Sequence, residues 1–289
     1  MLPGMAGKAR IAIVGAGNLG TALAVSLRDA GIVVDAVVAR SRGSLRKARE
    51  VARRVAARAI VDPGQIKAEW IWFCMPDSEI ARATAALAEL LSWKGRVALH
   101  SSGALTSDVL NPLRRSGAAV ASVHPLMTFV RHSPPSLTGV PFAIEGDPIA
   151  VRVARRVVRN LGGQAFSIRK KDKAAYHTWG MFASPLLDSL LATTEEVATI
   201  AGVSRKQARE RAMPILRQTL ENYAAFGAPD AFSGPIIRGD VDTVRRHLQV
   251  LKGTPVVHAV YIALAEAALE YLPAKNKSAL KRVLSSGRR

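Results

Sequence analysis

Residues 10–27, "RIAIVGAGNLGTALAVSL", place a run of Ile, Ala and Val directly before three spaced glycines and then an Ala/Leu-rich amphipathic segment. This strand–glycine–helix order is the strongest constraint in the chain, because it demands a β-strand feeding a helix through a turn with almost no side chains. In Gly15-Ala16-Gly17-Asn18-Leu19-Gly20, the first glycine permits the tight turn and the second lets backbone approach a pyrophosphate. The third allows close packing of helix on strand, and the free N–H groups of the helix start face the phosphates. The alternative, an ordinary glycine turn, does not explain why the motif also heads a βαβ unit.

The rest of the first half repeats that unit. Short apolar runs, "VVDAVVA", "RAIV", "WIWFCM", "RVALHS" and "AVASVH", alternate with helical segments near residues 21–30, 45–57, 79–91 and 107–116. The rhythm is that of a doubly wound, mostly parallel Rossmann-type sheet. "PFAIEG" and "QAFSIR", around a helix at 149–161, add two more strands. Beyond Lys171 the strand pattern stops, and segments 172–201, 204–226, 240–248 and 255–271 all read as helix. The expected organisation is a nucleotide-binding domain over 1–171 and an all-helical domain, for substrate or dimerisation, over 172–289. The basic end, "KNKSALKRVLSSGRR", reads as a frayed tail.

The end of the second strand bears on which dinucleotide. Enzymes that use NAD commonly carry Asp or Glu there, accepting from the ribose 2′-hydroxyl. This chain has "ARSRGS" instead. Arg40 and Arg42 can pair with a 2′-phosphate and Ser41 can donate to it, whereas a carboxylate would repel it. The expected cofactor is NADP, the alternative for this turn being a solvated stretch as Arg-rich as the rest of the surface. Pro76, after the "WIWFCM" run, is counted with the cofactor-binding residues.

Charge sets the other boundary. Lys and Arg number 41 against 22 Asp and Glu, a formal net charge of +19. Such a balance can mark a nucleic-acid partner. Here the cations recur on the polar side of amphipathic segments such as "RKAREVARRVAARA", the pattern of a solvated helix face, and no nucleic-acid partner is expected. The single cysteine, Cys74, lies within an apolar run and has no intramolecular disulfide partner, which fits a reducing, cytoplasmic setting. "MLPGMAGKAR" lacks the apolar core of a signal peptide, no later run reaches membrane-spanning length, and no metal-ligand spacing stands out.

Three further stretches are hard to explain by packing. "ALHSSGAL" puts His100, Ser101, Ser102 and Gly103 at the carboxyl end of a strand, where open α/β sheets bind ligands. "SVHPLMTF" does the same with His124 and Pro125, and "FSGPIIRGD" carries Arg238 and Asp240 on a polar loop between helices. Together with "KAAYH" at 173–177, the order glycine loop, "HSSG", "HP", "YH" and "GPI-RGD" resembles, over nearly the whole chain, a bacterial family. That family joins a Rossmann-like domain to a helical domain of unknown function and is grouped with NADP- or deazaflavin-dependent oxidoreductases. More distantly the layout is similar to 6-phosphogluconate dehydrogenase, pyrroline-carboxylate reductase and ketopantoate reductase. The resemblance implies an active site between two domains, a small-molecule substrate and a helical domain that builds a homodimer. The chain departs from the family at Pro185, which replaces an Asn in the family's "YH…ASN" pattern.

Lys173 and His177, four apart, share one helix face. A lysine early on the corresponding helix of the β-hydroxyacid dehydrogenases takes part in proton transfer, and the resemblance implies that role for Lys173; a solvated lysine is the alternative. His177 is the favoured proton donor because neutral imidazole exchanges protons near neutral pH, the alternative being a core histidine bonded to a carbonyl. His124 is the second candidate. His100 reads as oriented inside the sheet, and His132, His247 and His258 have no supporting context. Ser101 and Ser102 are assigned to the nicotinamide amide and a substrate carboxylate, or to capping the helix near Thr106; Gly103, Arg238 and Asp240 join the substrate set. The expected activity is hydride transfer between NADP(H) and a small carbonyl, imine or hydroxy acid, ketopantoate-like by family analogy. A non-catalytic NADP(H)-binding sensor or scaffold and a deazaflavin-dependent reductase are the rivals.

Overall fold

The structure, a computed structural model, describes residues 9–131 and 133–288, so His132 and nearly all of the N-terminal stretch read above lie outside the described residues. The chain divides into two compact units, Met1–Ser184 and Pro185–Arg289.

The first unit is built on eight strands: β1 (Arg10–Val14), β2 (Val33–Val38), β3 (Arg58–Ile60), β4 (Trp70–Phe73), β5 (Val97–His100), β6 (Ala119–Pro125), β7 (Pro141–Gly146) and β8 (Gln164–Ser167). Their order across the sheet is β3-β2-β1-β4-β5-β6-β7-β8, and every neighbouring pair is parallel except β6–β7. The order reverses between β1 and β4, which opens a crevice at their carboxyl ends. Alternation along β1 sends Ile11 and Ile13 to one face and Ala12 and Val14 to the other, as a sheet covered on both sides requires. The helices α1 (Asn18–Asp29), α2 (Leu45–Arg54) and α5 (Pro148–Asn160) cover the first face with Leu23, Leu27, Val51 and Val157; α3 (Asp77–Leu90) and α4 (Asn111–Arg115) cover the second with Ile80, Leu87 and Leu113.

One further helix, α6 (Lys173–Ala183), completes this unit. The sequence pattern begins the helical domain at residue 172, whereas the second unit begins thirteen residues later, because Lys173 and Tyr176 are buried within the first unit. The single helix expected over 172–201 is two helices. The first ends at Ser184 in a non-helical conformation, and Pro185 opens α7 (Pro185–Ile200), where a missing N–H costs no hydrogen bond.

The second unit continues with α8 (Arg205–Ala231), broken at Gly227, then α9 (Pro235–Arg238), α10 (Val241–Leu251), α11 (Pro255–Tyr271) and α12 (Lys277–Gly287). The last of these corrects the reading of the basic end as a frayed tail. Leu280 and Leu284, four apart, are buried with Val244, Leu248, Ile262 and Leu269, and Val283 packs beside them. The lysines and arginines around these leucines hid an amphipathic stripe. Among the described residues no helix is long and apolar enough to cross a membrane.

Candidate active site

At the β1–α1 junction, Gly15 has φ +109°, a conformation that disfavours any side chain, and a Cβ there would collide with the Cys74 carbonyl. Gly20 lies equally close to the Gly15 carbonyl, which allows α1 to start hard against the strand. Gly17 faces open space and caps α1 without a side-chain hydrogen bond. The first intrahelical bond runs from the Thr21 N–H to the Gly17 carbonyl, so the N–H groups of Asn18, Leu19 and Gly20 have no acceptor within the helix. This is a cradle of backbone donors suited to phosphate oxygens. Leu19 packs against the core, and the Asn18 side chain donates to the Phe129 carbonyl at 3.1 Å, which ties the loop after β6 to the cradle. Pro76 caps α3 at the end of β4, on the other side of the crevice.

Arg40, Ser41 and Arg42 are exposed at the end of β2, with no carboxylate among them. Ser41 and Ser44 form a capping box that fixes the turn. Arg40 pairs with Glu79 from the first turn of α3, so its guanidinium is held toward the mouth of the crevice instead of ranging through solvent. The donors, the open Gly17 and the two arginines, Arg40 held by Glu79, fit a dinucleotide carrying a 2′-phosphate.

A second cluster lies beyond β5 and β6. Ser122 and His124, two apart on β6, project to the same side of the sheet, and Lys173, Tyr176 and His177 present one face of α6. Lys173 is fully buried, its Nζ donating to the Ser102 carbonyl at 3.1 Å and to Ser122 Oγ at 2.6 Å. It is thus not the solvated lysine that was the alternative to a role in proton transfer. Burial pushes its pKa down to about 8, against the pull of Glu145 and Asp77. Glu145, itself buried, accepts from the Ser107 N–H at 2.5 Å and hydroxyl at 2.8 Å, anchoring the turn that follows the "HSSG" loop.

His124 Nδ1 lies 3.0 Å from the Tyr176 hydroxyl, and its Nε2 faces Gly103. A Cβ on Gly103 would stand 2.8 Å from that Nε2 and 2.5 Å from the His177 ring. The glycine therefore lets two imidazoles, 6.0 Å apart and nearly perpendicular, close on the same stretch of backbone. Burial, with the charges of Lys173 and His177 adding to it, lowers the His124 pKa to about 4, so the ring is neutral at neutral pH. Burial raises the Tyr176 phenol to about 12. His177 is partly exposed, and among the described residues its ring nitrogens make no hydrogen bond, unlike the core histidine considered as its alternative.

The other expectations divide. His100 is buried inside the sheet, with its Nε2 3.1 Å from the Thr106 carbonyl and its Nδ1 accepting the Ser102 N–H, and burial takes its pKa to about 3. The hydroxyls of Ser101 and Ser102, expected at the nicotinamide amide and a substrate carboxylate, both bond within the protein. Ser101 Oγ accepts from the Trp72 indole at 2.7 Å; Ser102 Oγ donates to Asp77 at 2.7 Å and accepts from the Leu105 N–H at 2.9 Å. Thr106 performs the capping. Arg238 and Asp240 belong to the second unit, in a one-turn helix and its exit, not the plain loop that was expected. The Asp240 carboxylate caps α10, accepting from the Thr243 N–H at 3.1 Å and hydroxyl at 2.7 Å. Ser122 was missed, and Tyr176 was read only as part of the "YH" motif. The signal for both was the period: Ser122 two before His124, and Tyr176 three after Lys173.

Two family models match the chain. A Rossmann-like domain covers residues 5–125, and a domain of unknown function, DUF2520, covers residues 140–268. No curated protein matches. Among solved structures the fold is similar to that of a Bacteroides fragilis protein described as a "putative NADP oxidoreductase", at 21% identity and TM-score 0.76 over 90% of this chain and 97% of that one. A Thermotoga maritima protein superposes with TM-score 0.68 at 22% identity, over 96% of this chain and all of its own. A pyrroline-5-carboxylate reductase from Coxiella burnetii does so with TM-score 0.59 at 13% identity, over 97% and 98%.

Proposed function

We propose that this chain, which joins a Rossmann-like domain to a DUF2520 domain, is an NADP(H)-dependent oxidoreductase acting on a small carbonyl, imine or hydroxy-acid compound. The observation that carries the reading is the cradle: the N–H groups of Asn18, Leu19 and Gly20 have no acceptor within the helix, and Arg40, Ser41 and Arg42 stand at the end of β2, where NAD enzymes commonly carry Asp or Glu. Gly15, Gly17, Asn18, Leu19 and Gly20 would hold the phosphates, Arg40 and Arg42 the 2′-phosphate, and Pro76 the opposite wall of the crevice. When bound, the cofactor supplies hydride at the nicotinamide.

The protein's share is orientation and proton delivery. His124 Nε2 and the His177 ring close on Gly103, where they can meet a substrate heteroatom. Lys173 acts beneath them. Its ammonium pins the Ser102 carbonyl and Ser122, and its charge helps keep His124 neutral. Solved structures of similar fold named as an imine reductase from a Pseudomonas species, and as a reductive aminase from Aspergillus terreus in complex with NADPH, favour a C=N or C=O substrate over other classes.

The second unit is proposed to form a homodimer. Helix α7 has no buried residue, and α8 leaves Ile215 69% and Phe226 63% exposed, more apolar surface than a helical lobe ordinarily leaves in water. A cytoplasmic location is proposed from the lone buried thiol.

The test is NADPH consumption over a panel of 2-keto acids, cyclic imines and ketone–amine pairs. Turnover with one class is expected, and His177→Ala should lower kcat by roughly 10²- to 10⁴-fold if His177 delivers the proton. Tight NADPH binding with no turnover across the panel would instead establish the sensor or scaffold reading, which Pro185, in place of the family Asn, favours.

A further inference from the structure

The Tyr176 hydroxyl stands at a fork. It has one proton and two acceptors from the same residue, His124 Nδ1 at 3.0 Å and the His124 carbonyl at 3.4 Å. The choice decides what the far side of the ring presents. If the hydroxyl donates to Nδ1, the single proton of the neutral imidazole must sit on Nε2, and the ring offers a donor beside Gly103. If it donates to the carbonyl, Nδ1–H donates to the phenol oxygen, and Nε2 offers a lone pair instead.

We propose that Tyr176 is a positioning residue that holds His124 in its Nε2–H tautomer, so that the site presents a hydrogen-bond donor and selects substrates whose reacting heteroatom is an acceptor, a C=O or C=N group. Three observations carry this. The Nδ1 contact is shorter by 0.4 Å, and 3.4 Å is at the limit for an O–H donor. The Tyr176 ring is itself fixed, buried on α6 and edge-on to both His124 and Phe166, so the phenol oxygen is not free to seek another acceptor. The Nε2 edge of His124 faces Gly103, the one place in the loop with no side chain to fill the gap. Lys173 beneath the ring and His177 across from it also oppose a second proton. A neutral donor is thereby available without an imidazolium.

The consequence for substrate choice rests on the oxidoreductase reading; the tautomer does not. The experiment is long-range ¹H–¹⁵N correlation on the full chain labelled with ¹⁵N-histidine, with the His124 signals assigned by their loss in His124→Gln. At neutral pH the expected pattern is a pyrrole-type Nε2 and a pyridine-type Nδ1. In Tyr176→Phe that preference should fall to a mixture, and kcat should drop roughly tenfold or more while the KM for NADPH stays within about twofold. A protonated Nδ1 in the parent protein, or an unchanged pattern in Tyr176→Phe, overturns the proposal; if the variant fails to fold, the parent spectrum alone decides. Absence of NADPH binding beside the expected tautomer would remove the oxidoreductase reading and leave the Tyr176–His124 assignment standing.

Discussion

The glycine cradle and the His124 cluster lie at the carboxyl ends of the same sheet, yet they are made of different material. The cradle is backbone: its donors are N–H groups, its shape follows from φ at Gly15, and its tolerance for change is set by the missing Cβ atoms. The cluster is side chain, assembled from β6, the loop after β5 and α6, with a buried cation at its base. A backbone site is specified by a few consecutive residues, so it can be read from one motif. A side-chain site is specified by packing, so each member depends on neighbours distant in sequence: Lys173 meets Ser102 across 71 positions and Ser122 across 51.

This difference predicts that the two sites fail separately. The largest effect should come from Gly15→Val, which forces a β-branched side chain into a positive-φ position against the Cys74 carbonyl. NADPH affinity by fluorescence titration should fall by more than about 100-fold, with a lower melting temperature. Gly103→Ala attacks the other site. Its Cβ would displace His124 and His177, so kcat should fall on the order of 100-fold while NADPH affinity stays within about twofold. Parallel loss of both quantities would break the claimed independence. Arg40→Ala and Arg42→Ala should each cost about 1.5–3 kcal/mol in NADPH affinity by calorimetry, leaving NADH nearly untouched.

The pH dependence of stability sharpens the contrast, because His124 and Lys173 of the cluster, with His100 beside it, are buried with lowered pKa values. His124 and His100 titrate near 4 and 3 in the folded chain, below the ordinary histidine value of 6.5. The unfolded chain therefore binds more protons in that window, and stability must fall as pH drops from 6.5 toward 4. Lys173, near 8 when folded against 10.5, works in the same sense at higher pH, its contribution to stability rising between those values. Melting temperatures across pH should show the acid loss, reduced in His124→Gln. The smallest effect is expected from Glu79→Gln, which frees Arg40 from an exposed pair and should change NADPH affinity by less than about 1 kcal/mol.

How much of this was legible in the sequence follows the same division. The sheet, its eight strands and the cradle were readable because period-2 runs and a glycine motif are local signals. His124 and His177 could be singled out as chemistry-bearing, but their convergence on Gly103 could not, since it depends on how α6 lies on β6. Lys173 shows the limit most clearly. Set in "RKKDK", it looked solvated or catalytic, and full burial of a lysine with two neutral acceptors had no local signature. Ser101 and Ser102 show the converse, since polar side chains at a strand end also serve the fold, here bonding Trp72 and Asp77. The basic C-terminal segment was misjudged because its charge outweighed the spacing of Leu280 and Leu284.

The central claim is that the cradle takes a dinucleotide with a 2′-phosphate. Calorimetric titration of the parent protein with NADPH and with NADH, at matched ionic strength, tests it most directly. The account predicts NADPH binding at least about tenfold tighter, the 1.4 kcal/mol or more that one charge-assisted contact supplies. Equal affinities for the two dinucleotides, or binding of neither, would contradict it.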